Sequence, residues 1–217
     1  MDAAELLRAW RRIVPATACV CAGPFLESPP PLSEGERRSA GEVGAARLCE
    51  LRNGRHYAKR ALEMLGVPAA ELPVGRDRGP RWPDGIVGSI THAAGEGADY
   101  VAAVVARASE VAALGIDAEG GDGLDPRDWG RVLTPDETAR LLALPPPSRP
   151  AEVRALWCLK EAAFKAARRS LDPADVDVRR GPAAADGVDS WSLRLGGATW
   201  EGRSARVRGW VLAAVAK

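Results

Sequence analysis

The chain has 217 residues, 46% apolar and 27% charged, which excludes a disordered or low-complexity protein and is long enough to bury a sizeable core. Its 30 Lys and Arg against 29 Asp and Glu leave a net charge of +1, which argues against a whole-domain nucleic-acid binder. Apolar runs such as Tyr100–Ala106 are far too short to span a bilayer, and the N-terminal residues Asp2, Glu5 and Arg8 break any signal-peptide core, so no membrane partner is expected and the expected compartment is the cytoplasm.

Residues 2–13 read as a short helix. The prolines at 24, 29, 30 and 31 make 23–35 an extended or irregular stretch. From about 41 to 65 the apolar spacing is helical, closed by Gly66 and Pro68. Gly54 falls inside that helix, either as a tolerated defect or because a ligand or another piece of backbone comes close there. After a Pro/Gly/Arg loop at 73–85, three β-prone stretches follow: Ile86–Thr91, Tyr100–Ala106 and Val111–Asp117. A Gly/Ala/Glu turn separates the first two. Thr134-Pro135-Asp136-Glu137 is a strong helix start, with a capping box and a proline at the first helical position. A second helix runs from Ser148 to about Arg169. Strands are expected at Trp191–Leu195, Ala198–Trp200 and Ala205–Ala214. Each half thus reads as helix plus strands, which permits a pseudo-symmetric α+β arrangement.

Cys19, Cys21, Cys49 and Cys158 show no CxxC spacing and read as reduced, buried thiols. With only His56 and His92, an imidazole-rich metal site is excluded, so any metal would be a hard cation on carboxylates. Arg greatly outnumbers Lys, yet two of the four lysines, Lys160 and Lys165, lie close together, as if a compact point charge were wanted there.

Four segments carry candidate chemistry. In Gly115-Ile116-Asp117-Ala118-Glu119, the carboxylates of Asp117 and Glu119 leave the same face of a strand that runs into a loop at Gly120–Gly123. Their repulsion becomes favourable if a divalent cation sits between them. Trp157 to Lys165 lies on a helix and places Trp157, Lys160, Glu161, Phe164 and Lys165 on one broad face. Glu161 and Lys165 are an i, i+4 pair beside the aromatic residues, as in a cleft wall. Gly88-Ser89-Ile90-Thr91-His92 offers hydroxyls and an imidazole for an anion. Arg55, Lys59 and Arg60 form a cationic cluster suited to phosphate.

In order, G-R-x-x-A-x-R-A-L, R-W-P, G-S-I-T-H, G-I-D-A-E and W-x-x-K-E-A-x-x-K resemble the 4′-phosphopantetheinyl transferase family, and more closely its larger, monomeric Sfp/EntD-type group. The resemblance spans roughly residues 32–170. It implies an α+β pseudo-dimer of two similar halves. These are 1–108, holding the nucleotide end of coenzyme A, and 109–217, holding Mg²⁺ and the catalytic groups, with the site in the cleft between them. It implies transfer of the phosphopantetheine arm of coenzyme A to a serine of an apo carrier protein, with release of 3′,5′-ADP. By the same resemblance Asp117, Glu119 and Glu161 hold Mg²⁺, and Lys165 contacts the phosphates with Lys160 nearby. Arg55 and His92 meet the 3′-phosphate, Arg60 lies in the same nucleotide region, and Ser89, Ile90 and Thr91 line the adenine-ribose end. Glu161 is one candidate for the base that takes the serine proton, and a metal-bound water is the other. Relatives carry a basic residue where this chain has Gly79, and Arg76, Arg78 or Arg81 stands in for it. The rival readings are another Mg²⁺-dependent enzyme acting on a nucleotide pyrophosphate and a non-catalytic coenzyme A-binding or carrier-binding module.

Overall fold

The computed structural model describes residues 2–93, 99–121, 124–169, 172–183 and 187–217. The expected Gly/Ala/Glu turn near 94–98 and part of the loop at Gly120–Gly123 lie outside the described residues.

In chain order the elements are α1 (Ala3–Ile13), β1 (Cys19–Pro24), α2 (Glu34–Ala40), α3 (Ala45–Met64), β2 (Ile86–Ala93), β3 (Tyr100–Arg107) and β4 (Leu114–Glu119). They continue with α4 (Trp129–Val132), α5 (Pro135–Leu142), α6 (Arg149–Ala167), β5 (Asp177–Ala183), β6 (Val188–Leu195), β7 (Ala198–Val207) and β8 (Trp210–Ala216). Two antiparallel sheets result, ordered β1-β3-β2 and β4-β8-β7-β6-β5. This is the α+β pseudo-dimer that the sequence resemblance implies.

Strand alternation sorts side chains into three cores. Tyr100, Ala102, Val104 and Ala106 of β3 join Leu114, Ile116 and Ala118 of β4 and Leu212 and Ala214 of β8 in a central core shared by both sheets. Val101, Ala103 and Val105 face Ala58, Ala61 and Leu62 of α3. Val211, Ala213 and Val215 face Leu159, Ala162 and Ala163 of α6. Strands buried on both faces carry continuous apolar runs, as β3 and β8 do. The amphipathic α1, capped by Asp2, sends Leu6, Ala9, Trp10 and Ile13 into the central core and packs on β1, β7 and β8.

Some expectations need correction. The stretch at 23–35 holds the end of β1 and a capping box, Ser33 with Glu36, that opens α2. The expected strand Ala205–Ala214 is two strands: Arg208 (φ 44°) and Gly209 (φ 83°) turn the chain from β7 into β8. A two-residue turn with both φ values positive matches the twist of the strands it joins. Strand β5 was not foreseen. Pro182 and a register shift between Arg180 and Ala183 disguise it as a sheet-edge segment. The helix start at Thr134 forms as expected, with both arms of its capping box in place. All four cysteines are free thiols, but only Cys158 is fully buried.

Candidate functional site

The site begins where the edge strands of the two sheets meet. No backbone ladder joins β2 to β4. Instead, the Ile116 N–H donates to Ser89 Oγ at 3.1 Å, and Thr91 Oγ1 donates to Asp117 Oδ1 at 2.9 Å. The Ser89 hydroxyl thus satisfies an edge N–H of β4, and the Thr91 hydroxyl ties β2 to a β4 side chain.

On β4, Gly115, Asp117 and Glu119 all point toward α6. Gly115 has no side chain to hold the helix away: a Cβ there would lie 1.9 Å from the Ala162 carbonyl oxygen and 2.6 Å from the Ala166 nitrogen. That close approach lets Lys165 Nζ reach Asp117 Oδ1 at 2.6 Å and Thr91 Oγ1 at 3.3 Å. About two turns earlier on the helix, Trp157 Nε1 donates to Glu119 Oε1 at 3.1 Å. Lys165 therefore pairs across to Asp117 rather than along its own helix to Glu161. Burial, reinforced by Asp117, pushes the Glu119 carboxyl up to about 7 and raises that of Glu161. Asp117 Oδ2 is buried and has no hydrogen-bond partner. Among the described residues no three His, Cys, Asp or Glu side chains stand ready-placed as a metal cage. The donor chemistry nevertheless suits a hard divalent cation: an orphaned carboxylate oxygen lies beside two carboxyls whose charge the protein alone disfavours.

Next to this junction a cleft of about 580 Å³ opens between α3, β2, the 77–80 loop and the end of α6. Six cationic side chains line it (Arg47, Arg55, Arg78, Lys165, Arg168 and Arg169) against two acids, Glu50 and Asp77. Ser89, Ile90, Thr91 and His92 form its floor and Phe164 part of a wall. Arg55 is almost fully buried and its Nε donates to the Leu72 carbonyl at 2.6 Å. His92 lies 2.9 Å from the Glu50 carbonyl through Nε2, so that nitrogen carries the proton in the neutral ring. Burial holds the His92 pKa down at about 4. Gly54 is glycine because His92 and Ile90 press on it: a Cβ would sit 3.0 Å from His92 Nε2 and 3.2 Å from Ile90 Cγ2. The visitor at Gly54 is therefore a pair of side chains, not backbone.

Three expected residues, Lys160, Arg60 and Lys59, are not brought to this cleft. Lys160 is wholly buried and donates to the carbonyls of Val132 (2.7 Å) and Pro173 (2.8 Å) and to Glu137 Oε2 (2.7 Å). Five residues rotate a helix by about 140°, so Lys160 and Lys165 face different ways. The same rotation carries Arg60 away from Arg55 to an exposed position beside Cys21 and Glu63. Lys59 is taken by Glu36 at 2.9 Å. Of the three loop arginines only Arg78 lines the cleft. Sequence reasoning missed Arg47, Arg168 and Arg169. Arg47 lies two helical turns before Arg55, a spacing that was available as a signal.

A profile described as the 4′-phosphopantetheinyl transferase N-terminal domain matches residues 36–106, and one for the 4′-phosphopantetheinyl transferase superfamily matches 113–215. The chain belongs to the 4′-phosphopantetheinyl transferase superfamily. It is 42% identical over 125 residues to the 4′-phosphopantetheinyl transferase PptT of Mycobacterium tuberculosis, covering 56% of this chain and 52% of the relative. It is 42% identical over 123 residues to the 4′-phosphopantetheinyl transferase Svp of Streptomyces mobaraensis, covering 55% and 48%. A third relative, the 4′-phosphopantetheinyl transferase Npt of Nocardia iowensis, is 35% identical over 120 residues. The chain spans about half the length of the curated relatives it matches. Residues from both matched segments line the cleft. Among the described residues no helix is long and apolar enough to cross a membrane.

Proposed function

We propose that this chain transfers the 4′-phosphopantetheine arm of coenzyme A to a serine hydroxyl of an apo carrier protein and releases 3′,5′-ADP. We further propose that it acts as a cytoplasmic monomer, with 1–108 and 109–217 as its two halves, and that its carriers belong to fatty acid, polyketide or nonribosomal peptide synthases. The observation that carries the reading is the Lys165–Asp117 contact of 2.6 Å at the edge of a six-cation cleft. A nucleotide bearing a 3′-phosphate and a pyrophosphate is the ligand whose charge fits that cleft.

In this reading Arg55 and His92 hold the 3′-phosphate, whose charge draws a second proton onto His92 Nδ1, and Ser89, Ile90 and Thr91 line the adenine-ribose end. Lys165 has three N–H donors, of which Asp117 and Thr91 take two, leaving one for a phosphate oxygen. Mg²⁺ held by Asp117, Glu119 and Glu161 would supply charge neutralisation at the pyrophosphate. The serine oxygen forms a bond to the β-phosphorus as the bond to the leaving 3′,5′-ADP oxygen breaks. Glu161 is one candidate to take the serine proton.

The test is intact mass spectrometry of an apo carrier incubated with the protein, coenzyme A and Mg²⁺, with and without chelator. The expected result is a mass gain of one phosphopantetheine arm that the chelator abolishes. Consumption of coenzyme A without any gain across several carriers would point to hydrolysis instead. A second measurement addresses the nucleotide end. His92→Ala should weaken use of coenzyme A by about ten-fold, as expected for losing a group that meets a charged phosphate, and do less harm with 3′-dephospho-coenzyme A. Equal damage with both substrates would remove His92 from the 3′-phosphate.

A further inference from the structure

One contact within the lining of the cleft, given no role above, joins its two walls. Asp77, in the loop between α3 and β2, pairs through Oδ2 with Arg168 Nη2 at 2.7 Å, and the same Nη2 donates to the Pro80 carbonyl at 3.1 Å. Arg168 caps α6, so a residue of the C-terminal half grips a loop of the N-terminal half. The loop is pinned from below as well: Val74 N–H donates to Ser39 Oγ, Gly75 N–H to the Gly79 carbonyl at 2.8 Å, and Gly79 N–H to Asp77 Oδ1 at 3.2 Å. Two of the three non-glycine residues with positive φ among the described residues lie here: Arg78 (φ 65°) between the gripped residues, and Arg168 (φ 53°) itself. Such backbone persists only where its surroundings over-determine it. Arg78 is the loop arginine that lines the cleft.

We propose that the Asp77–Arg168 pair is a strap across the mouth of the cleft that holds the 75–80 loop so that Arg78 faces the phosphate of a bound nucleotide. Asp77 and Arg168 act as positioning residues and Arg78 makes the contact. This rests on the coenzyme A reading of the cleft. The pair is partly exposed, with side-chain accessibilities of 22% and 43%, and an isolated pair of that kind contributes little to stability. Its effect is on where Arg78 points.

Charge counting alone predicts the opposite sign. Removing an acid from an anion-binding cleft should tighten binding. The strap predicts weakening. The experiment is calorimetric titration of the whole protein with 3′,5′-ADP and with 5′-AMP, for wild type, Asp77→Asn and Arg168→Gln. Each variant should weaken 3′,5′-ADP binding by about five-fold and 5′-AMP binding by less, with the melting temperature unchanged. Unchanged or tighter 3′,5′-ADP binding in Asp77→Asn, or an equal loss for both nucleotides, overturns the strap while leaving the coenzyme A reading standing. A wild-type protein that binds neither nucleotide overturns both.

Discussion

Replacing Lys160 with alanine is expected to lower the melting temperature by about 10 °C, whereas replacing Lys165 with alanine should leave it nearly unchanged and cut carrier modification by about 100-fold or more. The two lysines sit five residues apart in one motif on one helix, yet they answer to different physics. Lys160 is enclosed by Val132, Glu137 and Pro173 with no exposed side-chain surface. Its ammonium is pulled toward neutrality by burial and held charged by Glu137. Glu137 is itself committed: its carboxylate accepts the N–H groups of Thr134 at 2.8 Å and Val178 at 2.8 Å. Removing Lys160 leaves a buried carboxylate and two carbonyls short of a donor at the point where α4, α5, α6 and β5 meet. Breaking a buried pair from one side costs about 3–5 kcal/mol. Lys165 is part-exposed at the cleft, and its loss leaves Asp117 the Thr91 hydroxyl as a partner. Thermal melts of both variants beside the mass-spectrometric assay separate the roles. A normal melt for Lys160→Ala with lost activity would return that residue to the active site.

Gly115→Ala should be nearly as damaging, through a single methyl group. The added Cβ would meet backbone atoms of α6, not a flexible side chain, so the helix must move as a body. Overpacking of a well-filled core costs about 1–3 kcal/mol and more where backbone has to shift. The displacement also lengthens the reach from α6 to β4, on which the Lys165–Asp117 and Trp157–Glu119 contacts depend. The expected outcome is a melting temperature lower by about 5–10 °C together with activity near background. Full activity in Gly115→Ala would show that the helix–strand spacing is not what sets the site.

The structure explains why some features were legible beforehand. Asp117 and Glu119 could be placed together because a period of two is enforced by the strand backbone. The Thr134 capping box was readable because its chemistry is local, four residues long and independent of the rest of the fold. The same box at Ser33 was hidden by the neighbouring prolines. Lys160 and Arg60 were misplaced for one reason. A helix face drawn broadly enough to hold 157, 160, 161, 164 and 165, or 55, 59 and 60, spans about 140° of the circumference. Only contacts from distant segments decide which part of it meets the cleft. The Asp77–Arg168 contact joins residues 91 positions apart, and no local pattern reports such a pairing.

Helix α1 belongs in sequence to the half that ends before β4, but its buried face rests on β7 and β8 as well as β1. A chain cut in the loop after β3 would therefore yield two pieces with a ready-made reason to find each other. The first would carry an amphipathic key, Leu6, Ala9, Trp10 and Ile13, and the second much of its lock. The fold is suited to fragment complementation, in which reassembly of two separately produced pieces reports on whatever proteins are fused to them.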